Sequence, residues 1–592
     1  MRRFSAIAGH LGAWRLWRHV GIAAGLILCV AIFVYQIRTY WFLTDDAFIA
    51  FRYARNLRNG YGLVFNPGFE RVEGYTCFLW VLLLAGVQWA TGWLPQQAAN
   101  WILAASGVAL WVLTVGCCWR RARARGRPWL VLVPALWLSL NRSVAVWCTS
   151  GLETKLFELL VVGAVLLGID QVERRRAGWS LCALLLALAA LTRPEGISIA
   201  GCFFATRLAC EWWDGRFNLR AVVRAVGLFG VVIGAHFVWR VFYYGDLLPN
   251  TYYAKFNGES WWEMGGPYLR AFLLEYGAAV WLPFVLVGAI GGVRERRGTA
   301  AWFSATLIVP HALYVGYVGG DHFEFRPLDL YFPLLAVLLG DGVGIVAVRW
   351  RRPVVAAVWG VASCVAVTVV PLLTHLDFPP SYIPGFPGGP YFGRTFIHLE
   401  RHPWVAAVPG MRTYVQSYSR DIGRLTQHFV CVRQEEHEHF FRVVEERARV
   451  LVTLLENHWL PRDTYAAMIS VGVVPYFTDL RVLDMFGLTD RDIARQPPVA
   501  KATRGMAHAR AVSKEYLVAR GVDVIAFNVV PSRVEIFNLV LTMPRDWVGS
   551  TYASAPFFGS YRVIGVFPAG LQTAQSRFPY LRLMPLSRLV DD

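Results

Sequence analysis

Apolar runs of 18 or more residues recur from near the N-terminus to about residue 374, and then they stop. A helix needs about 20 apolar residues to cross a bilayer, so this spacing predicts a polytopic membrane protein. The first run, Val20 to Tyr40, is too long for a signal-peptide core, and no small-residue cleavage site follows it; it reads as a span. Arg2, Arg3, Arg15 and Arg18 place the N-terminus inside. The next apolar run, Cys77 to Trp93, poses a choice. If it crossed, the basic loops RRARARGR (120–127), ERRRAG (173–178) and RERRG (294–298) would all lie outside, against the positive-inside rule. If it lies along the surface or re-enters, all three fall inside. The second reading predicts spans near 20–40, 98–119, 129–146, 153–169, 179–191, 196–211, 221–243, 272–292, 300–318, 328–347 and 354–373, about eleven in all, with the 179–211 pair short enough to be re-entrant.

Residues 1–374 therefore form the membrane module. Pro and Gly crowd FPPSYIPGFPGGPYFGR (378–394), so 375–394 reads as a linker that leaves the membrane. Beyond it hydropathy falls. RVVEERARVLVTLLENH (442–458) has a helical pattern, whereas MISVGVVPYF (468–477), RVLDMFGL (481–488) and VDVIAFNVV (522–530) read as strands. Residues 395–592 are expected to form a soluble α/β or α+β domain on the outer side, since an odd number of spans precedes it.

Composition adds limits. The net charge of +18 would suggest nucleic acid in a soluble protein, but here arginines gather at segment ends and no nucleic-acid motif is present. Nine of the ten cysteines, Cys29 to Cys364, lie in the apolar half and only Cys431 beyond it, so the soluble part has no internal disulfide framework; no CxxC pair suggests zinc.

The unusual polar residues fall on the predicted outer loops, while the inner loops hold little besides arginine. Thr44 to Thr76 begins where the first span ends. Asp45 and Asp46 stand at the head of a helical pattern, where acids suit the positive end of the helix dipole. Phe48, Phe51 and Leu57 give that helix an apolar side, and Arg52 and Arg55 add cations. Glu70, Arg71 and Glu73 follow a Gly/Pro-rich break. The two acids either only cap a helix or do chemistry. In LTRPEG (191–196), Arg193 and Glu195 form either a salt bridge that shapes a turn or a functional pair, because charges at membrane depth are costly. PNTYYAK (249–255) offers Asn250, Tyr252, Tyr253 and Lys255, an aromatic belt with a snorkelling lysine or a binding edge. GGDHFEFRP (319–327) gathers Asp321, His322 and Arg326 after two glycines. A histidine beside an acid can shuttle protons, hold phosphate or bind metal. One His and one Asp do not make a metal site, so no cofactor is assigned and a divalent ion stays open. EEHEH (435–439) reads as a solvated helix start, with metal binding the alternative, and GLTDRDIAR (487–495) as a turn and helix start that faces the membrane site.

TDDAFIAFRYARN, followed by GYGLVFNPGFERVEGYTCFLW, resembles the first outer loop of the GT-C fold membrane glycosyltransferases. Within that fold it is similar to the branch that contains the terminal β-(1→2)-arabinofuranosyltransferases of mycobacterial cell walls. LTRPEG, PNTYYAK, GGDHFEFRP and VGVVPYFTDLRVLDMFGLTDRDIAR (471–495) share the likeness; Cys77 departs from it, where a small polar residue is expected. The resemblance implies a GT-C membrane module with juxtamembrane helices, the run Cys77 to Trp93 being the surface helix. It implies transfer of a sugar, an arabinofuranose-like pentose first, from a polyprenyl phosphate to a hydroxyl of a cell-envelope glycan at the outer face of the bacterial cytoplasmic membrane. Asp45 or Asp46 would contact or deprotonate the acceptor. Arg52, Arg55, Arg193, Lys255, His322 and Arg326 would face the lipid phosphate, with Glu73, Tyr75, Glu195, Asn250, Tyr252 and Asp321 lining the substrates. The rivals are another sugar, or a protein or lipid acceptor, and a non-catalytic assembly protein. A transporter would show broken mid-membrane segments and repeated halves, and neither is evident.

Overall fold

A computed structural model describes residues 2–378 (except 177, 256–257 and 295–297), 397–499 (except 457 and 459–460), 509–526 (except 523) and five short strands beyond. Among the described residues, six helices are long and apolar enough to cross a membrane: His19–Thr39, Pro95–Ala124, Leu219–Tyr244, Thr299–Val318, Tyr331–Arg349 and Pro353–Asp377. A seventh candidate is bent. Trp262–Glu275 and Ala278–Val293 meet at 89°, so the continuous span expected at 272–292 is broken. Gly277, at φ +62°, makes the corner against the Ala366 carbonyl, where a Cβ would sit 2.7 Å from that oxygen. Glu275, fully buried and ion-paired, holds the end of the first arm out of lipid. The span expected at 129–146 is also interrupted: Leu132–Ser139 stops, and Asn141 caps a separate turn, Arg142–Val146. Phe78–Thr91, the run expected not to cross, has 14 residues. At 1.5 Å per residue it is about 21 Å long, short of a hydrocarbon core of about 30 Å.

The two ends of the helical body differ in chemistry. At one, Arg121 bridges Glu173 at 2.7 Å and Asp341 at 2.6 Å, and Arg125 adds a second 2.6 Å contact to Asp341. Arg121, Arg125 and Glu173 belong to the basic loops at 120–127 and 173–178. The opposite end carries Thr44–Thr76 and the loops at 193–195, 245–255 and 319–326, and it is covered by the C-terminal part of the chain.

That part contains a six-stranded mixed sheet in the order Arg481–Asp484, Tyr465–Met468, Val524–Ala526, Val540–Thr542, Arg562–Gly565, Arg582–Pro585. The first three strands are parallel and the rest antiparallel, and Arg481–Asp484 is an edge. The expected linker at 375–394 falls mostly outside the described residues.

A buried charge network joins the two parts. Arg433 donates to both Glu275 oxygens at 2.8 Å and lies 3.3 Å from Glu324. Arg142 pairs with Glu324 and, at 2.9 Å, with Glu435, which also meets His375. The EEHEH run is therefore no solvated helix start: Glu435 is largely buried in ion pairs, Glu436 accepts the Arg433 amide at 2.6 Å, and His437 stacks on Phe323. A backbone bridge completes the joint, with Cys431 and Val432 amides donating to the Asp321 and His322 carbonyls at 2.9 and 2.8 Å.

Candidate functional site

Helix Asp45–Arg58 starts the site. Thr44 supplies the extended N-cap, and its amide is held by the Ser150 carbonyl at 3.1 Å. Asp45 and Asp46 occupy the first turn but live in different surroundings. Asp45 is buried, its Oδ1 accepting the Val473 amide at 2.8 Å, with Arg447 nearby. Burial pushes its carboxyl up to about 7, aided by the neighbouring Asp46 charge and opposed by the Val473 hydrogen bond. The Asp46 side chain is exposed and carries no hydrogen bond among the described residues.

Asp46 faces the GGDHFEFRP loop closely enough for its charge to reach His322. The His322 Nδ1 lies 2.8 Å from the Phe429 carbonyl, which can only accept, so Nδ1 bears the proton. Burial lowers the affinity of the ring for a second proton, leaving neutral imidazole with Nε2 as an acceptor. The His437 ring stands 4.9 Å away, edge to face, and burial depresses it further. Arg326 binds Asp321 at 2.8 Å and covers the Phe323 ring at 4.3 Å. Arg193 is gripped by Glu195 at 2.6 Å and by Glu153 at 3.1 Å. Asp321 lies within electrostatic reach of Arg193, and Cys77 sits beside Glu153. Asp46, Arg193, Glu195, Asp321, His322 and Arg326 are thus brought together. Tyr252 and Lys255 form an exposed rim, and Lys255 has no partner among the described residues. Tyr252 is tied to the cluster through Tyr314, which feels Tyr252, Glu195, Arg193 and Asp321 together.

The other expected site residues are elsewhere. Arg52, 2% exposed, donates to the carbonyls of Phe65 at 2.7 Å, Leu480 at 2.9 Å and Pro475, and stacks on Phe65. Arg55 donates to the Tyr476 carbonyl at 2.6 Å and pairs with Asp479. Glu73 is buried against Arg240 at 2.7 Å. The Tyr75 hydroxyl meets that of Tyr244 at 3.1 Å. Asn250 donates to the carbonyls of Gly487, Leu488 and Asp490 at 2.8 to 3.2 Å. Arg52 and Arg55 thus fasten the loop after the first span to the 471–495 segment, Glu73 and Tyr75 fasten it to helix Leu219–Tyr244, and Asn250 ties the loop that follows that helix to 487–490. Gly472 belongs to the same latch, since a Cβ there would lie 1.9 Å from the Asp45 carbonyl oxygen. Within 487–495, Asp490 caps the short turn by accepting the amides of Asp492 and Ile493. Glu153 is not singled out by sequence, and His437 is read only within EEHEH, as part of a solvated helix start or a metal ligand. Glu153 follows a Gly at a span boundary, a weak signal for a partner of Arg193, and nothing local marks His437 as buried. Among the described residues no group of three or more His, Cys, Asp or Glu side chains is placed to hold a metal ion.

The geometry is accompanied by likenesses to known proteins. A family described as a domain of unknown function (DUF8728) matches residues 436–580. The terminal β-(1→2)-arabinofuranosyltransferase of Mycobacterium tuberculosis is 31% identical over 261 residues, which cover 42% of this chain and 40% of that protein. Its namesake from Corynebacterium glutamicum is 28% identical over 341 residues, covering 50% and 47%. The chain thus spans less than half the length of either relative. ArnT from Cupriavidus metallidurans, solved in the apo state, superposes with a TM-score of 0.50 at 14% identity, covering 78% of this chain and 86% of that one. The fold is shared; the low identity carries nothing finer.

Proposed function

We propose that this chain is a multi-pass bacterial membrane glycosyltransferase. It moves a sugar, an arabinofuranose-like pentose by likeness to the two relatives, from a polyprenyl-phosphate donor to a hydroxyl of a cell-envelope glycan. The site and the C-terminal domain lie on the periplasmic or extracellular side, and about eleven membrane segments, several short or broken, carry them. The single observation behind the reading is an open carboxylate, Asp46, at a helix start that faces a ring of cations and neutral imidazole at the bundle end where the chain's acids converge.

The acceptor oxygen attacks the anomeric carbon while Asp46 takes its proton; the bond from that carbon to the phosphate oxygen breaks, and polyprenyl phosphate leaves. Asp46 is the member of the pair a hydroxyl can reach, whereas Asp45, tied to the Val473 amide, orients the helix start. Lys255, which has no partner among the described residues, balances phosphate charge at the rim, with Arg326 and Arg193 fixed by their acids as a preorganised surround. A positioned base contributes about 10²- to 10⁴-fold.

The experiment uses purified protein in detergent with a polyprenyl-phosphate pentose and follows release of polyprenyl phosphate, with Asp45→Asn and Asp46→Asn alongside. Asp46→Asn should stay folded and lose release by about 10²-fold or more. Release only from a hexose donor would move the sugar. No release from any donor with acceptor extract present would favour a non-catalytic assembly protein.

A further inference from the structure

A second polar site lies away from the Asp46 cluster, where the loop Phe65–Glu70 meets the edge strand Arg481–Asp484. It is a small pocket lined by Phe69, Glu70, Tyr465, Arg481, Asp490 and Arg520, among others. Asn66 builds its floor by imitating a neighbouring strand: its side chain donates to the Val482 carbonyl at 2.8 Å and accepts the Val482 amide at 3.2 Å. Arg481 lies between two rings, 3.3 Å from the centre of Phe69 and 3.6 Å from that of Tyr465. Three lining atoms, Nε of Arg481, Nε of Arg520 and Oγ1 of Thr489, are buried without a hydrogen-bond partner among the described residues. A buried polar atom left unpaired costs about 1–3 kcal/mol, so water or a ligand hydroxyl that enters this pocket gains the missing bonds.

The charges decide the ligand class. Arg520 pairs with Glu70 and lies 3.6 Å from Asp490, so two arginines face two carboxylates and the pocket has no net charge to offer an anion. Alternating donors and acceptors beside a half-exposed aromatic ring (Phe69, 45% exposed) suit a neutral, hydroxyl-rich chain. We infer that this pocket is a glycan-binding subsite that holds a part of the acceptor remote from the reacting hydroxyl. The inference rests on the transferase reading for the word acceptor. The geometry supports a common frame for both sites, because Arg52 of the Asp46 helix donates to Phe65 and Asn66, one and the same loop as the pocket.

The test titrates the full-length Asp46→Asn protein in detergent with a linear arabinofuranosyl hexasaccharide, and separately with inorganic phosphate. Arg481→Ala and Phe69→Ala are each introduced, and thermal unfolding confirms that they fold. Hexasaccharide binding that either substitution weakens about tenfold is expected, a charge-assisted hydrogen bond from Arg481 or the apolar face of the Phe69 ring each being worth about that much. With Asp46 intact, the same substitutions should raise KM for the hexasaccharide and leave a disaccharide acceptor unchanged. Phosphate binding that Arg481→Ala removes, without hexasaccharide binding, would overturn the inference. Polyprenyl phosphate release by a protein that binds no hexasaccharide would also overturn it while leaving the transferase reading intact. Hexasaccharide binding with no release from any donor would do the reverse.

Discussion

Arg52 separates two roles for the loop after the first span. The resemblance to the GT-C first outer loop sets it beside a lipid phosphate; the structure gives its guanidinium to the carbonyls of Phe65, Leu480 and Pro475 and to Asn66. Replacing it by alanine removes those donors from a position 2% exposed. Hydrogen bonds to a charged group contribute about 1.5–3 kcal/mol each, and the orphaned carbonyls stay buried unless water enters. Allowing for such water, the loss at the latch is about 3 kcal/mol, roughly a hundredfold in the equilibrium between closed and open. Hydrogen exchange reads this directly. Amides 473–482 should exchange about a hundred times faster in Arg52→Ala, while those of Pro95–Ala124 keep their rates. Arg52→Lys should not restore protection, because a single ammonium cannot span carbonyls on two segments. Unchanged exchange at 473–482, together with a raised KM for the donor, would refute the latch and return Arg52 to the phosphate.

Two further outcomes follow from the same region. Asp45 binds its proton with a pKa of about 7 in the fold against 3.8 when unfolded, so the folded state holds the extra proton between those values. Stability should therefore fall as pH rises from about 4 to 7, by at most about 4 kcal/mol, and Asp45→Asn should flatten that slope; parallel unfolding profiles at pH 5 and 8 for the two proteins would reject the assignment. Gly472→Ala must push the 471–476 segment off the Asp45 carbonyl, since its Cβ would lie 1.9 Å away. It should cost about 1–3 kcal/mol and faster exchange at Val473; an unperturbed Tm would show that the close approach is absent.

The organisation along the chain was readable because insertion imposes simple rules. Long apolar runs, basic clusters and Pro/Gly breaks predict which loops share an end, and Asp46, Arg193, Asp321, His322 and Arg326 do meet at one. Individual fates were less readable wherever the partner lies far away in sequence. Arg52 and Arg193 look alike as cations near a membrane exit, yet one binds carbonyls more than 400 positions later and the other its near neighbour Glu195. Glu435 and Glu436 look solvated until Arg142 and the Arg433 amide reach them. The break at Gly277 hides in an apolar run because a corner in a membrane protein needs a backbone angle and a buried partner for Glu275, not a polar interruption.

The network around Arg433 bears on biogenesis. Glu275 and Glu324 enter the bundle more than 100 residues before Arg433 is synthesised, and Arg433 is a shared counter-ion for both. Glu324 can pair with Arg142 as soon as both are made, but a nascent chain must keep Glu275 hydrated, or protonated, until the last third of the protein arrives. The helical bundle is then unfinished when its last span has been inserted. Quality control that senses unpaired charge at the membrane surface would read a chain truncated before residue 433 as incomplete, even with every apolar segment in place.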